Sequence, residues 1–316
     1  MVDINVSGQS LHAKSYTTDF MLEIQQTQSK LENYITKSTY ASNAEKKQVI
    51  VRYGEVEMSE ITGNSDNLNY EELTSAQRWV QGKAYDVSLS YNEYTQGPLT
   101  EQRVRDAIVM AQMAAVRRKT DEIILEALFA ASLSGTDGTS TTSYTAGNTI
   151  AADVGASADT GLNIAKWEAL KEKMEQNELD KEALAEQGGA VAILTQKSHT
   201  DLRKMVETFD DDYKASFGVV RDPAGNISKF YGFDIVSFST DRLTKFKTNS
   251  RLLNGALRRI PVFTKKAIEL CKWNVDIVEA RENKNKRGKV TDFYAAVNLG
   301  ATRVDEKLVY DIQVTE

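Results

Sequence analysis

The feature that most constrains this chain is a run of 33 residues, Leu99 to Ala131, that contains neither glycine nor proline. It reads LTEQRVRDAIVMAQMAAVRRKTDEIILEALFAA, and nothing inside it forces a helix to stop. At ~1.5 Å per residue such a helix spans roughly 50 Å. A compact domain of this size rarely needs a helix that long. Val104, Ile108, Ala111, Ala115, Thr120, Ile123, Ala127 and Ala130 follow a helical spacing along it. A Gly97-Pro98 break precedes it, and an extended arm precedes the break. That pairing points to a protein built to reach neighbours rather than to enclose a substrate.

The arm is half of a hairpin. In KKQVIVRYGEVEMSEITG, Val49, Val51, Tyr53, Val56 and Met58 alternate with polar residues, with one slip near Gly54 where a bulge would sit. After a polar connection from Asn64 to Thr74, the run from Gln77 to Tyr94 alternates through Val87, Leu89 and Tyr91. Two such strands make a long hairpin with little core of its own, which needs a neighbouring surface to lie on. Upstream, residues 1–17 are polar and aperiodic. From Thr18, the positions Phe20, Ile24, Leu31 and Ile35 fall on one helical stripe.

Downstream, residues 132–161 are rich in Ser, Thr, Gly and Ala and read as a long loop, either mobile or packed on a partner. Ile164, Trp167, Leu170 and Met174 mark an amphipathic helix. AVAIL after Gly188-Gly189 is a short buried strand, Thr195 to Val206 a helix, residues 207–229 a loop, and YGFDIVSFS a strand. SRLLNGALRRIPVFTKKAIELCKW mixes a short strand and a helix, with Cys271 on the helix. VDIVEAR, VTDFYAAVNLGATRV and KLVYDIQV are closing strands, the first two joined by the charged turn ENKNKRGK. Pro98, Pro223 and Pro261 each sit at an element boundary. The order is α+β and lacks regular βαβ alternation.

Little chemistry is visible. The chain has one cysteine, Cys271, so no intrachain disulfide forms, and this points to folding in a cytoplasm. Net charge is −6, so the total does not indicate a strongly basic surface for nucleic acid, and a local basic patch stays open. No apolar run approaches the ~20 residues of a membrane span, and the N-terminus lacks a secretory pattern. His12 lies in the arm and His199 on a polar helix, neither beside a metal-ligand motif. The nucleotide-binding glycine motifs and the nucleophile elbow do not occur. Asp210-Asp211-Asp212 reads as a solvated loop, because a cation site needs ligands from other segments. Trp79, Trp167 and Trp273 read as packing anchors. Arg117-Arg118-Lys119 reads as a solvated or inter-subunit face. The reading is of no catalytic residue, no cofactor and no metal.

Three stretches resemble the major capsid proteins of tailed bacteriophages, which have the Hong Kong 97-type fold. WVQGKAYDVSLSYNEY (Trp79 to Tyr94), followed by a helix with AAVRRKTDEIILEAL, is similar to that family's extended loop and spine helix. GGAVAILTQKSHTDLR (Gly188 to Arg203) is similar to the strand and helix that open its axial domain. YGFDIVSFS, KKAIELC and GATRVDEKLVYDI follow in the family's order. The resemblance implies an N-terminal arm with helix at 1–44 and an extended loop at 45–97. It implies a peripheral domain with the spine helix at 98–187 and 273–316, and an axial domain at 188–272. It also implies a virion protein, assembled in the host bacterial cytoplasm, that builds hexamers and pentamers into an icosahedral head around double-stranded DNA. The DNA would be touched non-specifically. Portal and decoration proteins would be further partners, and the absence of a long coiled-coil start implies a separate scaffolding protein or prior cleavage. An encapsulin-like compartment shell, a tail or neck component and a hydrolase remain the other readings.

Overall fold

The computed structural model describes residues 25–40, 46–54, 56–58, 73–92, 102–223, 225–283, 285 and 290–316. The arm at 1–17 with His12, the helix start at Thr18, the hairpin tip up to 72 and the Gly97-Pro98 break lie outside the described residues. So does most of the ENKNKRGK turn.

The rod forms as helix α1, Gln102–Phe129. Its surroundings change along its length. From Thr120 to Phe129 nearly every side chain is buried, with Ile124, Leu125 and Leu128 fully enclosed. That stretch is enclosed on every side, its polar Thr120, Asp121 and Glu122 included. Earlier in the helix, Asp106, Met110, Met113 and Arg117 are exposed on one stripe. Gln112 pins the covered side by donating to the carbonyl of Phe293 at 3.0 Å.

Ahead of α1 come β1 (Thr36–Tyr40), β2 (Lys46–Tyr53), β3 (Ser75–Gln81) and β4 (Lys83–Asn92). After it come β5 (Ser132–Ser134), β6 (Ser140–Thr142), β7 (Thr149–Ile150), α2 (Ile164–Gln176), α3 (Lys181–Glu186), β8 (Ala190–Thr195) and α4 (Gln196–Glu207). Then follow α5 (Asp211–Ser216), β9 (Val220–Arg221), β10 (Ile227–Phe230), β11 (Phe233–Phe238) and α6 (Thr240–Lys245). The chain closes with β12 (Leu253–Asn254), β13 (Leu257–Thr264), β14 (Ile268–Glu282), β15 (Val290–Arg303) and β16 (Val309–Val314).

These strands form three sheets among the described residues, in the orders β1-β14-β15-β4, β2-β3-β5-β6 and β7-β16-β13-β8-β11-β10-β9. The hairpin of β2 and β3 forms, from Lys46 opposite Gln81 to Tyr53 opposite Ser75, but its register shift lies between Gln48 and Ile50 rather than near Gly54. The second predicted strand, however, is two strands in two sheets. At Gly82 the chain leaves the hairpin, and β4 pairs with β15 from Lys83 opposite Leu299 to Asn92 opposite Val290. A Cβ at Gly82 would stand 2.7 Å from Asn298 Oδ1 and 3.0 Å from the Trp273 ring, so only glycine lets the chain pass there.

The structure corrects five further expectations. Leu31 and Ile35 are buried, but not on a helix: a 3-10 turn at Glu32–Tyr34 leads straight into β1. Residues 132–161 are folded within this chain, because β5 pairs with β3 and β6, and β7 pairs with β16. Residues 207–229 hold α5, β9 and β10. The segment Lys265–Cys271 turns through a bond from the Ala267 amide to the Thr264 carbonyl and then enters β14. Ala267 to Cys271 are all buried, so no solvent face exists for an amphipathic helix. Pro261 lies inside β13, between the residues paired with β12 (Leu257, Arg258) and those paired with β8 (Val262 to Thr264). The ladder on that side is interrupted there, so the missing N–H costs little.

The long sheet separates two cores. Alternate residues of β8 face opposite ways: Val191 and Ile193 pack with α1, Leu243 of α6, Phe246 and Leu252. Ala190, Ala192 and Leu194 pack with Trp167 and Leu170 of α2 and Leu202 of α4. Side-chain caps open the helices on that second face. Asn163 accepts from the Lys166 amide, Asp180 from Glu182 and Ala183, and Thr195 from Ser198. The sheet joins β8 to β13 with β7 and β16, so the boundaries at 188 and 272 are not boundaries between sheets.

The tightest backbone approach yields a prediction. A Cβ at Gly300 of β15 would fall inside contact distance of the Gln81 carbonyl oxygen and 3.0 Å from Val80 Cγ2. Gly300→Ala should lower subunit stability by about 1–3 kcal/mol in denaturant unfolding. An unchanged midpoint would show that the β3–β4 junction yields freely.

Candidate assembly surface

The hairpin stands on a buried foot built around Arg303, the last residue of β15. Arg303 is fully enclosed. Its Nη1 donates to the carbonyls of Leu128 at 2.8 Å and Ala130 at 3.0 Å, which the end of α1 leaves unpaired. Its Nη2 reaches the Thr142 carbonyl at 3.3 Å, and its Nε lies 3.5 Å from Glu306. Burial lowers the guanidinium pKa and Glu306 opposes that shift. Glu306 is shared with the hairpin, since Arg78 of β3 reaches it at 2.5 Å. Arg78 also donates to Thr142 Oγ1 at 3.2 Å. On β2, Arg52 pairs with Asp305 at 2.8 Å. Trp79 donates from Nε1 to the Gly135 carbonyl at 2.7 Å, and its ring covers Gly138, where a Cβ would come within 2.7 Å.

Beyond this foot the apolar side chains point into solvent. Tyr53 is 67 % exposed, Val56 55 % and Leu73 54 %, and Met58 is completely exposed. Four large apolar side chains are thus left uncovered on one hairpin. From Tyr53 to Gln77 the sequence holds six carboxylates and no Lys or Arg.

A second anchor holds the segment leading out of the N-terminal region. Asp121 of α1, fully buried, accepts from Ser29 Oγ at 2.5 Å, the Lys30 amide at 3.1 Å, the Leu31 amide at 3.2 Å and Gln26 Nε2. Burial raises its pKa, against the pull of those four bonds. Arg117 and Arg118, read from sequence as a solvated or inter-subunit face, serve the same segment. Arg117 donates to the Thr27 carbonyl at 3.0 Å, and Arg118 to Gln25 Oε1 at 2.8 Å and the Gln26 carbonyl at 3.1 Å. Lys119 turns instead to Glu122 at 2.8 Å and over the Tyr85 ring.

The remaining residues singled out from sequence do not converge. His199 Nε2 faces the Ile227 carbonyl at 3.4 Å. Asp210, Asp211 and Asp212 are exposed at the start of α5. Cys271 is buried, on β14 rather than on a helix. Trp167 and Trp273 are core residues, and Trp167 meets Phe230 edge-on at 5.5 Å. Among the described residues no group of three or more His, Cys, Asp or Glu could hold a metal, and no helix is long and apolar enough to cross a membrane. Sequence reading missed Arg78, Arg303, Glu306 and Asp121, whose partners, the Arg303–Glu306 pair apart, lie far away along the chain and leave no local motif.

Comparison with known proteins follows the same lines. The family model described as phage capsid protein matches residues 9–316. The fold is similar to the capsid of cyanophage Pam1, with a TM-score of 0.68 and 11 % identity over 100 % of this chain and 99 % of that one. It is similar to the capsid of cyanophage P-SCSP1u, with a TM-score of 0.66 and 14 % identity over 98 % and 94 %. A structure of Mycobacterium phage Che8 matches with a TM-score of 0.58 and 15 % identity over 95 % and 96 %. At such identities the likeness is one of fold. A search of curated protein sequences found no match.

The Asp121 anchor predicts a pH signature. Its folded pKa is raised above the ordinary 3.8, so the folded state keeps a proton that the unfolded chain has lost. Stability from this group is therefore full below pH 3.8 and declines as pH rises through the raised value. Asp121→Asn cannot accept from all four donors and should cost about 1–3 kcal/mol. The gap between wild type and variant, from denaturant unfolding, should be wider below pH 3.8 than at neutral pH. A gap that widens toward neutral pH would contradict the raised pKa.

Proposed function

Because this chain belongs to the phage capsid protein family, we propose that its hairpin and N-terminal arm are the parts each copy lays across its neighbours in the shell. The protein itself is a structural major capsid protein of the virion, not an enzyme. The observation that carries the reading is the contrast within the hairpin. Its foot is locked by Arg52, Arg78 and Trp79, while Tyr53, Val56, Met58 and Leu73 stay exposed. Burying a Val, Leu or Met side chain stabilises by about 1.5–3 kcal/mol. A neighbour that covers the hairpin gains that energy, and the fixed foot lowers the entropy lost on docking.

The finer features of the reading follow the resemblance. Copies gather as hexamers and pentamers in the host bacterial cytoplasm, with a separate scaffolding protein and a portal protein as partners. Residues 188–272 centre an axial domain, 98–187 and 273–316 a peripheral domain around the spine helix, 45–97 the extended loop and 1–44 the arm. A net charge of −6 suits a shell that touches packaged double-stranded DNA without gripping it, since tight phosphate binding needs clustered Lys and Arg. A decoration protein is a further partner of the outer surface.

Electron microscopy of the purified protein, alone and expressed with its neighbouring genes, tests the assembly. Closed shells, or sheets and tubes of hexamers, are expected. Deleting Asn64 to Thr74 should leave the subunit folded, because Arg78 and Glu306 remain, while closed shells are lost. Normal shells from that deletion would remove the hairpin from the contact.

A further inference from the structure

We infer that neighbouring copies join head to tail across the two faces of the long sheet, with Arg251 and Lys245 of one copy entering an aromatic, carboxylate-bearing cleft of the next. The inference rests on the shell reading above and names the contact inside it.

The cleft lies on the α2 side of the sheet. It has a volume of about 450 Å³ and is lined by Met174, Leu184, Phe217 and Tyr231, with Lys171 and Lys181 beside Glu175 and Asp180; on the adjoining surface next to Tyr231, Glu168, Glu172 and Glu175 outnumber Lys171. Tyr231 has φ +56°, in the left-handed region, followed by Gly232 at +86°. Together they form the two-residue turn between Phe230 and Phe233. Gly or Asn suits such a turn, and a bulky aromatic there is strained. What the tyrosine supplies is a ring. Lys171 Nζ sits 4.0 Å above its centroid, and Phe217 meets it edge-on at 5.0 Å. The phenol pKa is raised by burial and then by Glu168 and Glu175. Aromatic faces beside carboxylates are the chemistry that recognises a long-stemmed cation, with the stem on the apolar lining and the head at the carboxylates.

The candidate cations lie on the other face. From 240 to 252 the sequence holds Arg242, Lys245, Lys247 and Arg251 against one carboxylate, Asp241. This segment packs through Leu243, Phe246 and Leu252 on the core shared with α1, opposite the core shared with α2. Lys245 is exposed. Arg251 is 45 % exposed and only 4.0 Å from Glu126, a weak pair. Arg242 stands close enough to Arg118 to add to the lowering of its pKa that burial begins. On the cleft side, residues 164–187 carry seven carboxylates and four lysines. One of those lysines, Lys166, is turned inward onto the carbonyls of Thr160, Gly161 and Gln313. The 164–187 segment on one face of the sheet thus carries a negative excess, and the 240–252 segment on the other a positive one. A surface of opposite charge on each side of one domain is self-complementary only head to tail, the arrangement that closes rings.

The test uses Glu175→Lys and Arg251→Glu in the full chain. Each variant alone should keep the wild-type thermal midpoint and lose shell yield by about tenfold or more, because every contact then sets like charge against like. The double variant E175K/R251E should restore assembly, because in every contact, in rings of five as in rings of six, the introduced lysine of one copy again meets the introduced glutamate of the next. Wild-type assembly should also slow as salt rises. Wild-type yields from either single variant would overturn the contact while leaving the shell reading intact. Loss without rescue in the double variant would also overturn it and assign the cations of the 240–252 segment to another anion, such as nucleic acid or a scaffold. If either charge reversal lowers the thermal midpoint, E175Q and R251Q take its place, with reduced yield expected and unchanged yield contradicting the contact. Absence of shells from the wild type with its neighbouring genes would count against the shell reading itself.

Discussion

The buried guanidinium of Arg303 is the interaction on which the rest depends. A helix that ends inside a core leaves carbonyls that water cannot reach, and α1 ends there by burying its last turns. Arg303 answers the carbonyls of Leu128 and Ala130, and that of Thr142 beyond them, with one planar fork. A lysine could offer a point charge but not that geometry. The guanidinium in turn needs a counter-charge, and Glu306, three residues on, supplies it. Once Glu306 is held there, Arg78 can reach it from the hairpin. The end of the rod, the end of β15 and the foot of the hairpin are therefore one electrostatic unit. Removing a partner from such a buried cluster leaves a charge without compensation, which typically costs about 3–5 kcal/mol.

A second cluster explains why the Ser- and Thr-rich segment after α1 is ordered. It has too few apolar residues for a core of its own, but it does not need one. Asp311 of β16, fully buried, accepts from Tyr144 at 2.6 Å and Thr149 at 2.5 Å and lies 3.3 Å from Arg259. Burial raises both acidic groups, and the nearby Asp311 charge raises Tyr144 further. Asn148 adds two bonds, to the carbonyls of Glu306 and Val309. The segment is held by directional polar contacts to strands formed more than 150 residues later.

That distinction separates what was legible in the sequence from what was not. Periodicity exposes α1, α2 and β8, because each buries one stripe or one continuous run against a core. The hairpin is legible for the same reason, and the order of elements points to the capsid fold. Periodicity says nothing of the split at Gly82, where a single residue must pass Trp273 and Asn298. It misleads at Lys265–Cys271, whose helix-forming composition is overridden by β15, and at Leu31 and Ile35, which are buried without a helix. The assembly surface was legible as an exposed hairpin but not as a foot. Asp121, Arg78, Arg303 and Glu306 look like ordinary surface charges until distant segments bring their partners.

A shell subunit faces opposing demands, and the placement of charge meets them separately. Its own fold must be settled before it meets a neighbour, and here the strong ion pairs face inward at the foot and under β16. Contacts between copies must be weak enough singly for errors to dissociate and numerous enough together for the closed shell to persist. The exposed surface matches that second demand, with scattered apolar side chains on a hairpin and modest excesses of opposite charge on the two faces of one sheet. Solvated ion pairs contribute about 0–1 kcal/mol each, so no single one commits a misplaced copy. In the proposed contacts, the energy that fixes the subunit and the energy that joins subunits are drawn largely from different residues.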